Sequence, residues 1–155
     1  MSIDGQALPS ERVPGADAAT VARIDALSAA THDAQPGDPA VWGPLWQATF
    51  GLREWLFIAR GAPQSPRPFI GVLEQGPMLF AFTTAERARI GALALGLSEA
   101  ESGSVLTVPT PGVVEWVVSL AQNGVFGISF DHPTTGYFTP LANLIGIRDW
   151  VASQG

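Results

Sequence analysis

Apolar residues in the first third of the chain recur every three or four positions, the spacing that places them on one face of a helix. Two stripes of this kind contain Val21, Ile24, Leu27, Trp42, Leu45, Trp46 and Phe50. Asp17 and Asp38 precede the two stripes, and a carboxylate at that position accepts hydrogen bonds from the free N–H groups of a first helical turn. Pro39 suits the first position of the second helix, whereas Pro44 predicts a kink or an early end. The pattern therefore predicts two helices.

The rest of the chain contains short, continuous apolar runs, which are typical of strands covered on both faces. These runs lie at residues 55–59, 69–74, 78–82, 105–108 and 125–130. The turn residues 75–77 join the second and third runs as a hairpin. Helices are predicted to start at Thr83, where Glu86 would complete a capping box, and at 110–111 and 139–140, where threonine precedes proline.

Strands and helices alternate from Met78 onwards, an order that predicts parallel strands joined by right-handed crossovers. Together with the hairpin, this order predicts one α/β domain over residues 17–155. Its mixed sheet would have about five strands, with an antiparallel hairpin, a parallel βαβαβ portion and helices packed on the sheet. Residues 1–16 are polar and contain proline, glycine and serine, so we expect a flexible tail that folding does not need.

The composition excludes several kinds of chemistry. The net charge is −6 and all eight cations are arginines, so the chain has no basic stripe for nucleic acid. Without lysine or cysteine it cannot form a Schiff base, a thiol nucleophile, a zinc–thiolate site or a disulfide. His32 and His132 are the only histidines, too few for a three-histidine metal site. We therefore expect no cofactor and no metal ion.

The first residues of the chain and its apolar runs bear on where in the cell the protein is located. Residues 1–15 lack the basic start and apolar core of a signal peptide, and no stretch approaches the roughly 18 apolar residues of a membrane span. The absence of cysteine removes the usual argument for secretion. We expect a cytoplasmic protein that does not cross a membrane.

The segment 131–139 is the main candidate site. It follows a predicted parallel strand and precedes a predicted helix, the place where open α/β sheets bind ligands. Its candidate ligand-binding residues are Asp131, His132, Thr134, Thr135 and Tyr137. In a ligand site, His132 and Tyr137 should face one shared concavity, and the N-terminus of the helix begun at 139–140 should favour an anion there. The alternative is a polar turn whose side chains bond to neighbouring backbone.

The same segment contains residue types that two kinds of catalysis use. Ser129, Asp131 and His132 are the residue types of a hydrolase, but the pattern GISFD at 127–131 lacks the second glycine of a nucleophile elbow. Metal binding by Asp131 and His132 would need further ligands, which nothing in the sequence brings near. We therefore predict no catalytic residues. The five tryptophans are expected mainly in the core, with Trp150 the one most exposed.

One family resemblance rests on the residues that follow the hairpin. Phe82 to Arg87 reads FTTAER after the apolar strand 78–81, and this resembles the strand-to-helix signature of the SseB-like domain of enhanced-serine-sensitivity proteins. WLFIA at 55–59 and VFGISFDHP at 125–133 follow the order seen in that family. The chain departs from the family at 131–133, where members often carry Asn-Pro. The resemblance covers residues 38–151 and implies an α/β fold and an intracellular bacterial protein, with no catalytic residues to carry over.

Three functions agree with these expectations. The first is a non-enzymatic binding or accessory module that acts through a protein partner, with a homodimer left open. The second is a small-molecule-binding domain or enzyme that uses segment 131–139. The third is an immunity-type inhibitory protein, which an acidic surface would suit. A polar concavity at His132 and Tyr137 would favour the second, whereas an exposed apolar surface would favour the first or the third.

Overall fold

A computed structural model describes residues 13–35, 37–62 and 64–154 of the chain. Five α-helices lie within these residues: α1 (Ala18–Ala30), α2 (Pro39–Phe50), α3 (Ala85–Ala94), α4 (Gly112–Ser119) and α5 (Leu144–Gln154). The Asp17 carboxylate accepts a hydrogen bond from the Thr20 N–H at 2.8 Å, and that of Asp38 accepts one from the Ala40 N–H at 3.0 Å. Both predicted N-caps are therefore confirmed. In the described part of the chain, no helix has the length and apolar character needed to cross a membrane.

Seven strands of the described residues form one mixed sheet: β1 (Glu54–Arg60), β2 (Arg67–Pro68), β3 (Ile70–Leu73), β4 (Gly76–Phe82), β5 (Val105–Pro109), β6 (Gly127–Phe130) and β7 (Tyr137–Pro140). On one side β1 pairs with β5, and on the other it pairs with β2 and β4. The hairpin β3–β4 is antiparallel, β4 and β6 are parallel, and β7 adds an antiparallel strand beyond β6. The predicted α/β class, with a mixed sheet and helices packed on it, is confirmed.

The parallel portion of the sheet is smaller than the order of elements predicts. Among the described residues, only β4 and β6 pair in parallel, with Met78 opposite Gly127 and Ala81 opposite Phe130. The strand between them in the sequence, β5, crosses to the far side of β1 and pairs with it antiparallel. Most residues of β5 are only half-buried, as suits a strand at the edge of a sheet. The alternation of strands and helices is compatible with β5 between β4 and β6 and equally with β5 beside β1, because both positions bury the same apolar runs.

The core lies on both faces of the sheet. On the large face, Trp55 and Phe57 of β1 pack with α1, α2, α4 and α5. On the small face, Leu56 and Ile58 of the same strand pack with α3. Successive side chains of a strand point to opposite faces, so a strand covered on both sides has to be apolar throughout. This explains why β1 is a continuous apolar run rather than an alternating pattern.

Helix α3 begins one residue later than predicted. Thr84 is the N-cap, and its Oγ1 accepts a hydrogen bond from the Arg87 N–H at 3.1 Å. Thr83 instead donates its hydroxyl to the Asp131 carboxylate, and Glu86 pairs with Arg89. The predicted capping box of Thr83 and Glu86 is therefore wrong, because a carboxylate far away in the sequence binds the Thr83 side chain.

The helix predicted to start at Thr139 and Pro140 begins further along. Both residues belong to β7, where Thr139 lies opposite Ile128, and α5 begins after a short 3-10 turn. The residue before a proline is biased towards the extended conformation, which suits a strand as well as a helix boundary. Segment 131–139 is therefore a short turn followed by a strand.

The predicted tail, residues 1–16, lies mostly outside the described residues, which begin at Val13. Its last two residues are bound to the domain. The Gly15 N–H donates to Glu54 Oε2 at 2.8 Å, and the Ala16 N–H donates to the Thr83 carbonyl at 2.8 Å. The domain therefore starts a little earlier than residue 17.

Gly91 allows α3 to pack closely on the small face. A Cβ at this position would lie 2.5 Å from the Phe82 ring and 2.6 Å from the His132 carbonyl oxygen. We expect Gly91→Ala to lower the free energy of unfolding by about 1–3 kcal/mol, the usual cost of overpacking a core. Chemical denaturation measures the change.

Gly146 offers the matched control, because it is also helical and a Cβ there would meet nothing within 4 Å. Gly146→Ala should raise the free energy of unfolding by about 0.5–1 kcal/mol, since alanine restricts the unfolded chain more than glycine does. Stabilisation by both variants would contradict the close packing at Gly91.

Candidate functional site

The predicted site begins with Asp131, directly after β6, and this side chain is fully buried. Its Oδ1 accepts the Thr83 N–H at 2.8 Å. Its Oδ2 accepts the Thr83 hydroxyl at 2.8 Å and Arg87 Nη1 at 2.9 Å. The backbone of Asp131 is left-handed, with φ of 57°, a conformation that aspartate tolerates better than most residues. Asp131 therefore joins the end of β6 to the start of α3.

Arg87 extends this connection to α1. Its guanidinium donates two parallel hydrogen bonds to Asp25, with Nη1 2.8 Å from Oδ1 and Nη2 2.7 Å from Oδ2. Such two-pronged pairs have the geometry that the arginine fork prefers. We call Asp25, Thr83, Arg87 and Asp131 the carboxylate–arginine network. It ties together α1, α3 and the end of β6.

The ionisation of this network follows from its burial and its charges. Burial raises the pKa of the Asp131 carboxyl, while the hydrogen bonds from Thr83 and the charge of Arg87 act in the opposite direction. The hydrogen bond to Asp25 is the largest cause that raises the pKa of Arg87, and Asp131 raises it further. Because the guanidinium keeps its charge, it favours the ionised form of the buried carboxylate. Both oxygens of Asp131 already accept hydrogen bonds from Thr83 and Arg87.

His132 lies on the small face of the sheet. Its ring is partly exposed and packs against Phe80, with the ring centroids 5.2 Å apart. Burial lowers the pKa of His132 below its ordinary value. This burial favours the uncharged form of the imidazole.

Tyr137 lies on the large face. Its hydroxyl is 2.9 Å from Thr49 Oγ1, and its ring stacks on Phe130 with the centroids 5.0 Å apart. Burial raises the pKa of the Tyr137 phenol well above its ordinary value. His132 and Tyr137 thus lie on opposite faces of the sheet, so they do not face the shared concavity expected of a ligand site at 131–139. The reason is the unforeseen strand β7, which carries Tyr137 back into the core.

The two threonines of the candidate segment differ in role. Thr134 is exposed. Thr135 closes the turn, because its hydroxyl donates to the Phe130 carbonyl at 3.0 Å and its N–H to the Asp131 carbonyl at 3.0 Å. The turn therefore satisfies its own backbone, as the alternative interpretation of a polar turn expects.

The residues that a hydrolase or a metal site would need at this segment do not come together. The Asp131 carboxylate is engaged by Thr83 and Arg87, and no hydrogen bond joins it to the His132 ring. Ser129 is buried within β6. Over the described ranges, no three histidine, aspartate or glutamate side chains lie close enough together to hold a metal ion.

The surface is concave elsewhere, between α2, α5 and β7. This concavity has a volume of about 580 Å³ and is lined chiefly by aromatic and aliphatic side chains. We call it the tryptophan groove and define it by Trp42, Trp46, Pro140, Ile147 and Trp150. None of the described residues that line it is charged. Its size and apolar lining fall within the range of ordinary ligand sites.

Close packing of α2 and α5 arranges the indoles of the groove. Trp42 and Trp46 stack one helical turn apart, with centroids separated by 5.8 Å and planes inclined by 24°. The Trp150 ring lies against Gly43, where an added Cβ would be 2.5 Å from its Cη2 atom. Trp42 Nε1 is buried without a hydrogen-bond partner, the only such side-chain nitrogen or oxygen in the described part of the chain.

The sequence pattern did not predict this groove. It placed Trp42 and Trp46 on a core-facing stripe and expected Trp150 to be partly exposed, which it is. The periodicity of α2 could not show that Trp150, more than a hundred residues later, packs beside them. One local signal was present: Gly43, next to Trp42 within a predicted helix, is typical of a close approach by another element.

Comparison with family models, curated proteins and solved structures finds no match for the chain. The resemblance to the SseB-like domain therefore stays a prediction. Function has to be argued from the chemistry of the surface and of the buried polar groups.

Asp131→Asn tests whether the carboxylate–arginine network holds the fold together. The amide keeps the size of the side chain but replaces one acceptor oxygen that Thr83 and Arg87 use. We expect the free energy of unfolding to fall by about 3–5 kcal/mol, as when one partner of a buried ion pair is removed.

Glu86→Gln is the control for this variant, because it also turns a carboxylate into an amide beside an arginine of α3, but on the surface. Glu86→Gln should lower the free energy of unfolding by less than about 1 kcal/mol. Denaturant unfolding measures the free energy of unfolding of both variants. Equal losses would show that the buried network stabilises the fold no more than a surface ion pair does.

Tyr137 is the only tyrosine, so the ultraviolet absorbance of tyrosinate reports on this residue alone. Because the folded protein raises the pKa of the phenol above its ordinary value, this group's contribution to stability is complete below about pH 10 and is lost as the pH rises further. We expect tyrosinate to form together with alkaline unfolding, followed by circular dichroism. Ionisation near pH 10 (about the value of a free phenol) in a still folded protein would contradict the burial of its hydroxyl.

Proposed function

We propose that this protein is a non-enzymatic binding module that acts through a protein partner, and that the tryptophan groove is its binding surface. A cytoplasmic location is part of the proposal. The observation that carries it is the groove itself, in which three indoles border one apolar concavity of about 580 Å³. Aromatic residues, and tryptophan above all, contribute most to binding energy at protein interfaces when they are enclosed by their partner.

The charge distribution supports the same surface. The chain has a net charge of −6, yet the described residues that line the groove are all uncharged. Charged residues are depleted at the centre of protein interfaces, because they would have to give up their hydration. An uncharged concavity on an acidic protein is therefore well suited to be the centre of such a contact.

The second function considered, a small-molecule site or enzyme at 131–139, has less support. Its carboxylate belongs to the carboxylate–arginine network, and its phenol is buried against Thr49. The remaining exposed groups, Thr134 and part of His132, do not form a concavity with Tyr137. An immunity-type inhibitor would be one form of the proposed binding module.

Affinity capture from extracts of the native host tests the proposal. Ala142 is an exposed residue of the groove, so Ala142→Arg places a long charged side chain there with little effect on the core. Ala121→Arg is the matched control, an exposed alanine in another 3-10 turn outside the groove. We expect at least one host protein to be retained by the wild type and by Ala121→Arg but lost with Ala142→Arg, measured by quantitative mass spectrometry.

The same set of retained proteins on all three columns would contradict the proposal, provided that the variants melt like the wild type. A metabolite that raises the melting temperature of the wild type but not of Ala142→Arg, without any retained protein, would favour a small-molecule site instead.

A further inference from the structure

We propose that two copies of this chain associate through β5, the free edge of which pairs antiparallel with the same edge of the second copy. The inference goes beyond the proposed function, because β5 contributes no residue to the tryptophan groove. It rests on three features of β5: the backbone groups that point to its open side, its regular register with β1, and its lack of charge.

Strand β5 lies at an edge of the sheet, because among the described strands it pairs with β1 alone. Just outside the strand, the Ala59 N–H donates to the Ser104 carbonyl at 3.0 Å, and the Thr110 N–H donates to the Arg53 carbonyl at 3.0 Å. In an antiparallel pair, residues that bond across alternate with residues whose N–H and C=O groups point away. Since Ser104 and Thr110 bond to β1, the even-numbered residues between them do so as well.

The odd-numbered residues of β5 therefore direct their backbone groups to the open side. Val105 and Thr107 each present an N–H and a carbonyl there, whereas Pro109 presents a carbonyl only, because proline has no N–H. No turn or loop of the described residues accepts a hydrogen bond from either N–H. A row of such groups is a template on which a further strand can pair.

The course and composition of β5 leave this template open. Natural sheets often protect an edge with charged side chains or with a bulge that twists the strand away. The five residues of β5 instead keep one regular register with β1, from Val105 opposite Ile58 to Pro109 opposite Glu54. Its sequence VLTVP has no charged residue and is rich in the β-branched residues that strands favour. Only Pro109, at the end of the strand, limits how far a second strand can extend.

The lack of charge favours a second copy over the strand of a different protein. About a two-fold axis, each residue near the axis lies close to its own counterpart, so a charged side chain there would meet a like charge. A different protein could be selected by opposite charges, but β5 carries none that would attract it. Although the chain has a net charge of −6, two β5 strands can pair without bringing their own acidic side chains together.

A two-fold axis at Thr107 would use every free N–H of this edge. Thr107 would lie opposite Thr107 of the second copy and exchange two hydrogen bonds with it, and each Val105 N–H would donate to the Pro109 carbonyl of the other copy. Pro109 would thus lie where only its carbonyl is needed. On the large face, the half-buried side chains of Leu106 and Val108 would pack beside those of the other copy. The pairing would therefore also cover apolar surface.

Sedimentation velocity of the full chain, from micromolar to millimolar concentrations, tests the inference. We expect the mass to rise with concentration from 16.3 kDa to about twice that value, as a closed two-fold pair requires. A mass that stays at 16.3 kDa throughout would overturn the inference.

Charged variants of Thr107 test whether β5 forms the contact. Thr107→Lys and Thr107→Glu each place like charges beside the two-fold axis, so each should weaken the association about fivefold or more. An equimolar mixture of the two should associate again, because lysine then meets glutamate. Thr134→Lys, at an exposed threonine elsewhere, is the matched control and should associate like the wild type. If the mixture associates no better than either variant alone, the assignment to β5 is wrong.

Amide hydrogen exchange of the wild type keeps the test valid even if a charged variant fails to fold. The N–H groups of Val105 and Thr107 should exchange more slowly at concentrations where the dimer forms than after dilution. Those of Leu106 and Val108 should change little, because they already donate to β1 within one copy. The same concentration dependence at all four residues, or none at Val105 and Thr107, would contradict pairing along this edge.

The inference and the proposed function can fail separately, because the groove and β5 are different surfaces. Ala142→Arg should leave the dimer intact. A dimer that is lost with Ala142→Arg but kept with Thr107→Lys would place the contact at the groove and overturn the inference. A monomeric chain that loses a captured host protein with Thr107→Lys would show that β5 binds a foreign strand, which also overturns it.

Discussion

The burial of one carboxylate, that of Asp131, constrains the rest of this structure. A carboxylate removed from water is stable only if hydrogen-bond donors and a positive charge replace its hydration. Thr83 supplies two donors and Arg87 supplies the charge, and these contacts join the end of β6 to the first turn of α3. Through its paired bonds to Asp25, Arg87 also holds α1 at this end of the domain. The end of β6, the start of α3 and α1 are thus linked by one network of hydrogen bonds.

This constraint also engages most of the polar groups in the turn after β6. The turn after β6 contains polar side chains at the usual location of α/β ligand sites, but most of them serve the fold. Asp131 is engaged by the network, Thr135 closes the turn, and Tyr137 is bonded to Thr49 inside the core. Polar residues whose hydrogen bonds are satisfied within the protein have little capacity left for a ligand.

The large face supplies a surface of the opposite character. The approach of α5 to α2 at Gly43 gathers three indoles around an apolar concavity, and one buried N–H group there has no partner. Native proteins rarely leave such a group unpaired. This surface is neutral and aromatic, although the chain as a whole is acidic.

Local patterns in the sequence determined the helices α1 and α2 with their aspartate caps, the buried strands β1 and β4, and the α/β class, because each depends on residues close together in the chain. Contacts between distant residues decided the rest. The Thr83 side chain is bound by Asp131, 48 positions away, which moves the cap of α3 to Thr84. An added strand carries Tyr137 into the core, and Trp150 joins Trp42 and Trp46 only when α5 packs on α2. Periodicity shows which face of an element is buried, but only the tertiary structure decides which element covers it.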